Sequence, residues 1–544
     1  MKILFAKTLL TLCALLVSTA ALADKPKLVV QITVDQLRGD LLFRYQDNFL
    51  NSNNNKGFNR FLRDGTIFTN AHYRHAATLT AVGHATLATG AIPSQHGLIG
   101  NNWYDVAGET EMYCVADKDT KILQGEGKSA SPKNLMASTF SDELHFATNG
   151  KAKIYSVSVK DRGAVLTGGQ FGKSFWMDKN SGNFVTSSWY YDAMPDWAKA
   201  FNEGGLKDSW VGAQWTLSKP ESVYINSTEN RIYQIPPRGF SRGFPHGLPE
   251  EANKNYYKAL NMTPFADELT AEFAKHITAQ NALGKDEVTD FLAISFSLND
   301  YIGHNYGPFS REAEDGLYQL DAVLADLFNF LDEQVGLEHV LLTLSADHGV
   351  DAIPEYKKSL GFAGLRGDVS SKLKQFVKGY AEEKDIDGEL LSFIRLPNIY
   401  LNHSTIKSAD LDLEDVLEDF AEELASYEEI GAVYTSEDLA AGTAKTDPVS
   451  QQISNNFVAE RSGDLIVVQK TSTMLGNYSA ATHGSPYKYD THVPVYFTGW
   501  KVKPQRLTRL VSPEDIAVTL SATLNIGYPD KSTGSVLAEI AELP

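Results

Sequence analysis

The sequence predicts an α/β fold: a mostly parallel sheet sandwiched by helices, with two insertions capping its functional edge. Three observations lead there. Short, continuously apolar and β-branched runs recur at 28–34 (LVVQITV), 153–159 (KIYSVSV), 291–298 (FLAISFSL) and 340–344 (VLLTL). Such runs suit strands buried on both faces. Between the last two, Leu317, Leu320, Val323, Leu324, Leu327, Phe328 and Leu331 recur at intervals of three and four, so 311–334 reads as a helix with one buried face. A strand–helix–strand unit of that length implies a parallel pair joined by a crossover.

In chain order, Lys2 and Lys7 flank the start of an apolar run at 9–17, followed by Ala21-Leu22-Ala23. This is the pattern of a secretory signal peptide over 1–23, and it places the mature chain in the periplasm or outside the cell. Cys13 follows Leu12 rather than a small residue, which argues against lipid attachment, and cleavage leaves Cys114 alone. An exported core with one cysteine holds by burial rather than by an internal disulfide. The α/β core then runs over 24–354, with a Trp-, Tyr- and Gly-rich insertion at about 170–260. A second insertion, 355–475, carries a strand-like piece at 393–401 and an acidic amphipathic helix within 411–427. Residues 476–544 return to the core, with a strand at 495–497 and a helix opened by Ser512 as N-cap and Pro513 at its first position.

The 544 residues are 43% hydrophobic and 22% charged, with a formal net charge of −19. That composition excludes a disordered or collagen-like chain. Its charge repels nucleic acid and anionic lipid in bulk. An anionic substrate would need local positive charge from a few basic residues or from bound metal. After the leader, no run is long and apolar enough to span a bilayer.

Asp35, Asp300 and Asp347 follow three of the strand-like runs, where ligands of open α/β sheets gather. His304 lies four residues after Asp300, on the same face if the segment is helical. His348 adjoins Asp347, and on an irregular loop both can reach one ion. Carboxylate with imidazole is a zinc or transition-metal donor set. Thr80 precedes a small-residue stretch, 81–90, that reads as a helix, and its hydroxyl would lie at the positive end of the dipole. An ordinary N-cap is the plainer use of such a threonine. His84 and His96 could serve as ligands too, but they read as structural, bonding loop backbone near Gly90 and Gly97.

In order, VDQLRGD, TAVGHATLATG, GNNWYD, KDRG, NDYIGHNYG, SADHG and THGSPYKYDTHVP resemble the alkaline phosphatase superfamily. The resemblance is closest to the PafA-type alkaline phosphatases with a threonine nucleophile, and it extends to the related nucleotide pyrophosphatase/phosphodiesterases. It covers nearly all of the mature chain. It implies two zinc ions, one held by Asp300, His304 and His483, the other by Asp35, Asp347 and His348 with Thr80. Thr80 would attack phosphorus and form a phosphothreonine that water hydrolyses. Asn101, Lys160 and Arg162 would bind the phosphate oxygens of a small-molecule monoester. Asn102 remains an alternative to Asn101, and His492 an alternative to His483. The Lys-x-Arg spacing places Lys160 and Arg162 on one face if the segment is a strand. Phosphodiesterase relatives generally lack this pair, so the expected activity is that of a phosphomonoesterase. A phosphodiesterase is the alternative within the superfamily, and a non-catalytic zinc- or phosphate-binding protein the alternative outside it. Sulfatases need a Cys or Ser in C/S-x-P-x-R, which is absent at Thr80. The manganese-dependent phosphoglycerate mutases are cytoplasmic and use serine.

Overall fold

Five strands run parallel through the middle of the sheet: β1 (Leu28–Val34), β2 (Ile154–Ser158), β3 (Lys173–Met177), β4 (Asp290–Phe296) and β5 (Val340–Ser345). Their spatial order is β5-β1-β4-β2-β3. The fold is that of a computed structural model, which describes residues 25–50, 57–226, 230–443 and 446–543. The expected signal peptide at 1–23 lies outside them. The strands are apolar along their length because both sheet faces are covered. Val30, Ile32 and Val34 belong to the same cluster as Leu317, Leu324 and Leu331. Val29, Phe291 and Leu341 cluster with Ile516 and Leu520 on the opposite face.

The parallel run sits within a ten-stranded mixed sheet. β6 (Val495–Gly499) adds to β5 antiparallel, followed by Thr66–Phe68 and Gln505–Leu507. At the other edge Phe184–Ser187 pairs antiparallel with β3, and Ile122–Leu123 lies outermost. The sheet therefore continues through residues 173–187, which the sequence placed in the first insertion. Two short strands in aromatic, polar surroundings lack the long apolar run that marks the central ones. Beyond them, to about 260, the chain is largely irregular, with short helical pieces.

Six helices position the functional edge or cover the sheet: α1 (Thr80–Thr89), α2 (Asp161–Gly168), α3 (Pro264–Gln280), α4 (Leu298–Tyr306), α5 (Arg311–Gln334) and α6 (Asp515–Leu524). The observed α5 has the bounds its apolar spacing predicts. The run read as 291–298 ends as a strand at Phe296, since Leu298 already begins α4. α6 also begins later than expected, and Ser512 is not its N-cap. The Asp515 carboxylate accepts the Ser512 N–H at 2.9 Å, and the Ser512 hydroxyl is buried without a partner.

The second insertion has a sheet of its own, ordered Leu391–Arg395, Asn398–Leu401, Leu465–Gln469, Ile430–Thr435. Helices Val369–Glu383 and Leu413–Ser426 pack on it through Leu373, Val377, Val416, Phe420 and Leu424. The chain enters through Leu365–Gly367 and leaves through Thr473–Leu475, paired in parallel. No helix among the described residues is long and apolar enough to cross a membrane.

α1 lies against the loop after β5 so closely that a Cβ on Gly83 would overlap the Asp347 carbonyl. In an open helix, Gly→Ala stabilises by roughly 1 kcal/mol. Here the backbone contact reverses the sign, and Gly83→Ala should cost about 1–3 kcal/mol. A urea unfolding midpoint below wild type is the expected result, and an increase would show that this approach is not tight.

Candidate active site

The residues singled out in the sequence converge at the carboxyl ends of β1, β2, β4 and β5. Asp35 directly follows β1, and its N–H bonds to the last carbonyl of β4, Phe296, at 2.9 Å. Asp347 and His348 occupy the irregular loop after β5. Asp300 and His304 lie on α4, where the four-residue spacing stacks them on one face, Nε2 to Oδ1 at 3.3 Å. His483 arrives from the segment after the second insertion, its Nε2 3.3 Å from that of His304 and 3.6 Å from Asp300 Oδ1.

Among the described residues, two groups have the donor atoms and spacing to hold a metal ion: Asp300, His304 and His483, and Asp35, Asp300 and His348. Asp347 Oδ2 lies 3.5 Å from His348 Nε2, so the second group extends to the expected Asp347. The orphaned atoms support this reading. Asp35 Oδ1, Asp347 Oδ2 and His348 Nε2 are all buried without a hydrogen-bond partner, and Asp35 Oδ1 is 3.6 Å from His348 Nε2. Each histidine directs Nδ1 at a backbone carbonyl: His304 at Ala481 (2.9 Å), His483 at Thr78 (2.7 Å) and His348 at Gly349 (3.0 Å). An Nδ1–H donated this way leaves the Nε2 lone pair for a metal. Burial pushes the His348 pKa down to about 3, keeping that imidazole neutral. Three carboxylates and three imidazoles in this arrangement suit zinc.

Electrostatics point the same way. Burial, together with the charges of Asp300 and Asp347, pushes the Asp35 carboxyl well above the usual carboxylate range. Cations relieve that repulsion, and one is already present. Lys160 Nζ sits 2.6 Å from Asp35 Oδ2 and 2.5 Å from Asp300 Oδ2. Burial alone would discharge this ammonium, but Asp300 and Asp35 hold its pKa above that of an ordinary lysine.

Thr80 is the first residue of α1, with Leu79 in the N-cap position, so it is not an N-cap itself. Arg162 Nη2 lies 3.4 Å from Thr80 Oγ1, and Asn101 Oδ1 accepts the Ala81 N–H at 2.9 Å. Asn101 therefore meets the helix start, whereas Asn102 lies 3.4 Å from Arg395 of the second insertion. The basis of the Lys160–Arg162 pairing differs from expectation. β2 ends at Ser158, Lys160 caps α2, and Arg162 is in the first turn. A strand-to-helix turn, rather than strand alternation, brings the two cations into the site.

Several contributors escaped the sequence reading. His84, expected to bond loop backbone, has Nδ1 2.9 Å from the Thr80 carbonyl and Nε2 2.8 Å from Ser295 Oγ on β4, and its ring approaches Asp347 Oδ2 at 3.2 Å without hydrogen-bonding it. Its place one turn after Thr80, in an otherwise small-residue helix, was the available signal. Gln36, at φ 66°, donates Nε2 to Asp300 at 2.7 Å and its backbone N–H to Asp347 at 3.0 Å. The polar residue directly after Asp35 hinted at this. His96 accepts the Leu98 N–H, and His492, the alternative to His483, lies at the Thr69 carbonyl and in neither donor group.

A cleft of about 650 Å³ opens beside the site. It is lined on the core side by Leu79, Asn101, His304 and His483, and by Arg395 from the second insertion and Tyr478 just after it.

Residues 29–494 match the type I phosphodiesterase / nucleotide pyrophosphatase family. A Myroides odoratus protein named calcium-transporting ATPase is 33% identical, over 99% of this chain and 100% of that protein. Alkaline phosphatase PhoV of Synechococcus elongatus is also 33% identical, over 95% and 93%. The crystal structure of wild-type alkaline phosphatase PafA superposes with a TM-score of 0.88 at 30% identity, covering 95% of this chain and 99% of that one. The fold, the donor clusters at its strand ends and these likenesses converge: the chain is a phosphoric ester hydrolase of the alkaline phosphatase superfamily and belongs to the type I phosphodiesterase / nucleotide pyrophosphatase family.

Proposed function

We propose that the protein is an exported, zinc-dependent alkaline phosphatase that hydrolyses small phosphate monoesters through a phosphothreonine at Thr80. The observation that carries this reading is the meeting of orphaned donor atoms on Asp35, Asp347 and His348 beside the helix that Thr80 begins. Asp300, His304 and His483 would hold one zinc; Asp35, Asp347 and His348, with the Thr80 hydroxyl, would hold the other. When bound, such a pair supplies Lewis-acid stabilisation to the attacking and leaving oxygens of an in-line displacement. Thr80 Oγ1 gives up its proton to solvent and attacks phosphorus as the bond to the leaving oxygen breaks, and that oxygen takes a proton from water. The α1 N-terminus and Arg162 offer positive potential to the non-bridging oxygens. Asn101 fixes the first turn of α1 and adds a polar group there. Water then cleaves the phosphothreonine and returns the Thr80 hydroxyl. The basic, apolar and Ala-Leu-Ala pattern of residues 1–23 supports export. The cleft is far larger than a phosphate group and leaves room for an extended leaving group.

Phosphodiester hydrolysis is the second reading, favoured by the family match and by the engagement of Lys160 with two aspartates, which leaves Arg162 as the cation at Thr80.

Thr80→Ala should abolish turnover with fold and metal content preserved, while Thr80→Ser retains substantial activity and accumulates a phosphoserine detectable by mass spectrometry. Near-normal turnover in Thr80→Ala would mean that water attacks directly.

Elemental analysis of active protein should give about two zinc per chain. His304→Ala and Asp347→Ala should each lower that content and the unfolding temperature, because bound metal stabilises the fold. Full activity with less than one zinc per chain contradicts the assignment.

Arg162→Ala should lower kcat/KM for aryl phosphate monoesters about 30- to 1000-fold, the effect of roughly 2–4 kcal/mol in the transition state. Diesters, with one charged oxygen fewer, should lose much less. Lys160→Ala should impair both substrate classes, because Asp35 and Asp300 lose a shared partner. Equal losses in Arg162→Ala would favour the phosphodiesterase reading.

A further inference from the structure

We infer that Arg366, at the root of the second insertion, is a positioning residue for the metal site formed by Asp300, His304 and His483. The inference rests on the metal reading above. Arg366 lies in Leu365–Gly367, the strand by which the chain enters the insertion, opposite Met474 on the strand by which it leaves. Its guanidinium is mostly buried, with 17% of the side chain exposed, and it is engaged on both sides. Nε and Nη2 form a two-point pair with Glu355 at 2.9 and 3.0 Å. Nη1 donates to the Ser479 carbonyl at 2.9 Å and Nη2 to the Ala480 carbonyl at 2.8 Å. The Gly476 carbonyl lies 3.4 Å from Nη1.

The peptide held in this way is the one that orients the site. Ala480 donates its N–H to the His304 carbonyl at 2.8 Å, and the Ala481 carbonyl faces His304 Nδ1 at 2.9 Å. Ser479 Oγ donates to the same Ala481 carbonyl at 2.8 Å. His483 follows two residues later, its own Nδ1 directed at Thr78. Both histidines of this site thus depend on one short segment. That segment is clamped by a planar, permanently charged fork whose other side is anchored on the helix Pro354–Ser359, downstream of Asp347 and His348. Lysine cannot reproduce the clamp, since a single ammonium lacks the two-edged fork. Groups that orient metal-bound histidines typically change metal affinity 10- to 100-fold when removed. Arg366 touches neither the donor atoms nor Thr80, so its effect passes through the peptide.

The test uses the mature full-length protein, stripped and reloaded with zinc or cobalt(II). Arg366→Gln and the milder Arg366→Lys should weaken zinc binding in chelator competition by about 10-fold or more. Both should also shift the visible d–d spectrum of the cobalt-loaded protein. Lys372→Ala, which removes the Lys372–Glu429 pair inside the insertion, should leave affinity and spectrum unchanged and so controls for loosening of the insertion itself. Should Arg366→Gln prove insoluble, Arg366→Lys and Glu355→Gln carry the same expectation. Wild-type affinity and spectrum in these variants, with only a lower unfolding temperature, would reduce Arg366 to a fastening for the insertion. Wild-type protein that binds neither metal would overturn the metal reading as well.

Discussion

Three carboxylates, Asp35, Asp300 and Asp347, are brought together out of water, and the architecture of the functional edge follows from keeping them there. Buried like charges repel strongly in a low-dielectric site, so each must be fixed by the backbone that delivers it. Strand ends deliver Asp35 and Asp347, and a helix springing from the next strand end delivers Asp300. Gln36, in a backbone conformation rare for a side-chain-bearing residue, binds two of the three at once. Gly83 lets α1 approach Asp347, and Lys160 spans the other two carboxylates. A site that concentrates negative charge selects cations, and the imidazoles around it have their free nitrogens turned the same way.

Much of this was legible in the sequence because it rests on local periodicity. The apolar runs marked β1, β2, β4 and β5, and the three-and-four spacing gave α5 its bounds. Asp300 and His304 share a helix face by their separation alone, and Asp347 next to His348 needed only a loop. What stayed hidden depends on contacts between distant segments. His483 was recognisable by resemblance, but nothing local says that its ring meets His304 across 179 positions. β3 and Phe184–Ser187 fall in a stretch that reads as insertion because short strands at a sheet edge carry little apolar pattern. Lys160 and Arg162 reach the strand end from a cap and a first helical turn, not from the alternate strand positions their spacing suggests. His84 looks like one more buried helix residue until α1 is laid against the β5 loop.

Core and second insertion divide the work. Donor atoms, Thr80 and both cations belong to the core or to the segment that rejoins it. The insertion contributes a wall of the cleft, including Arg395, and makes aromatic contact with the core where Phe393 stacks on Tyr104 at 5.5 Å. Its own hydrophobic cluster gives it a packed interior, unlike a long loop.

The strands that enter and leave this unit lie side by side, Leu365 beside Thr473 and Gly367 beside Leu475, so the core is interrupted and resumed on neighbouring strands. Closing that gap asks little of the host, whatever length of chain is looped out. In evolutionary terms, the insertion is a replaceable module. Its size, surface and rim residues can change without moving the donor clusters, which sit at the strand ends of the core. The shared root near Arg366 is where that independence ends.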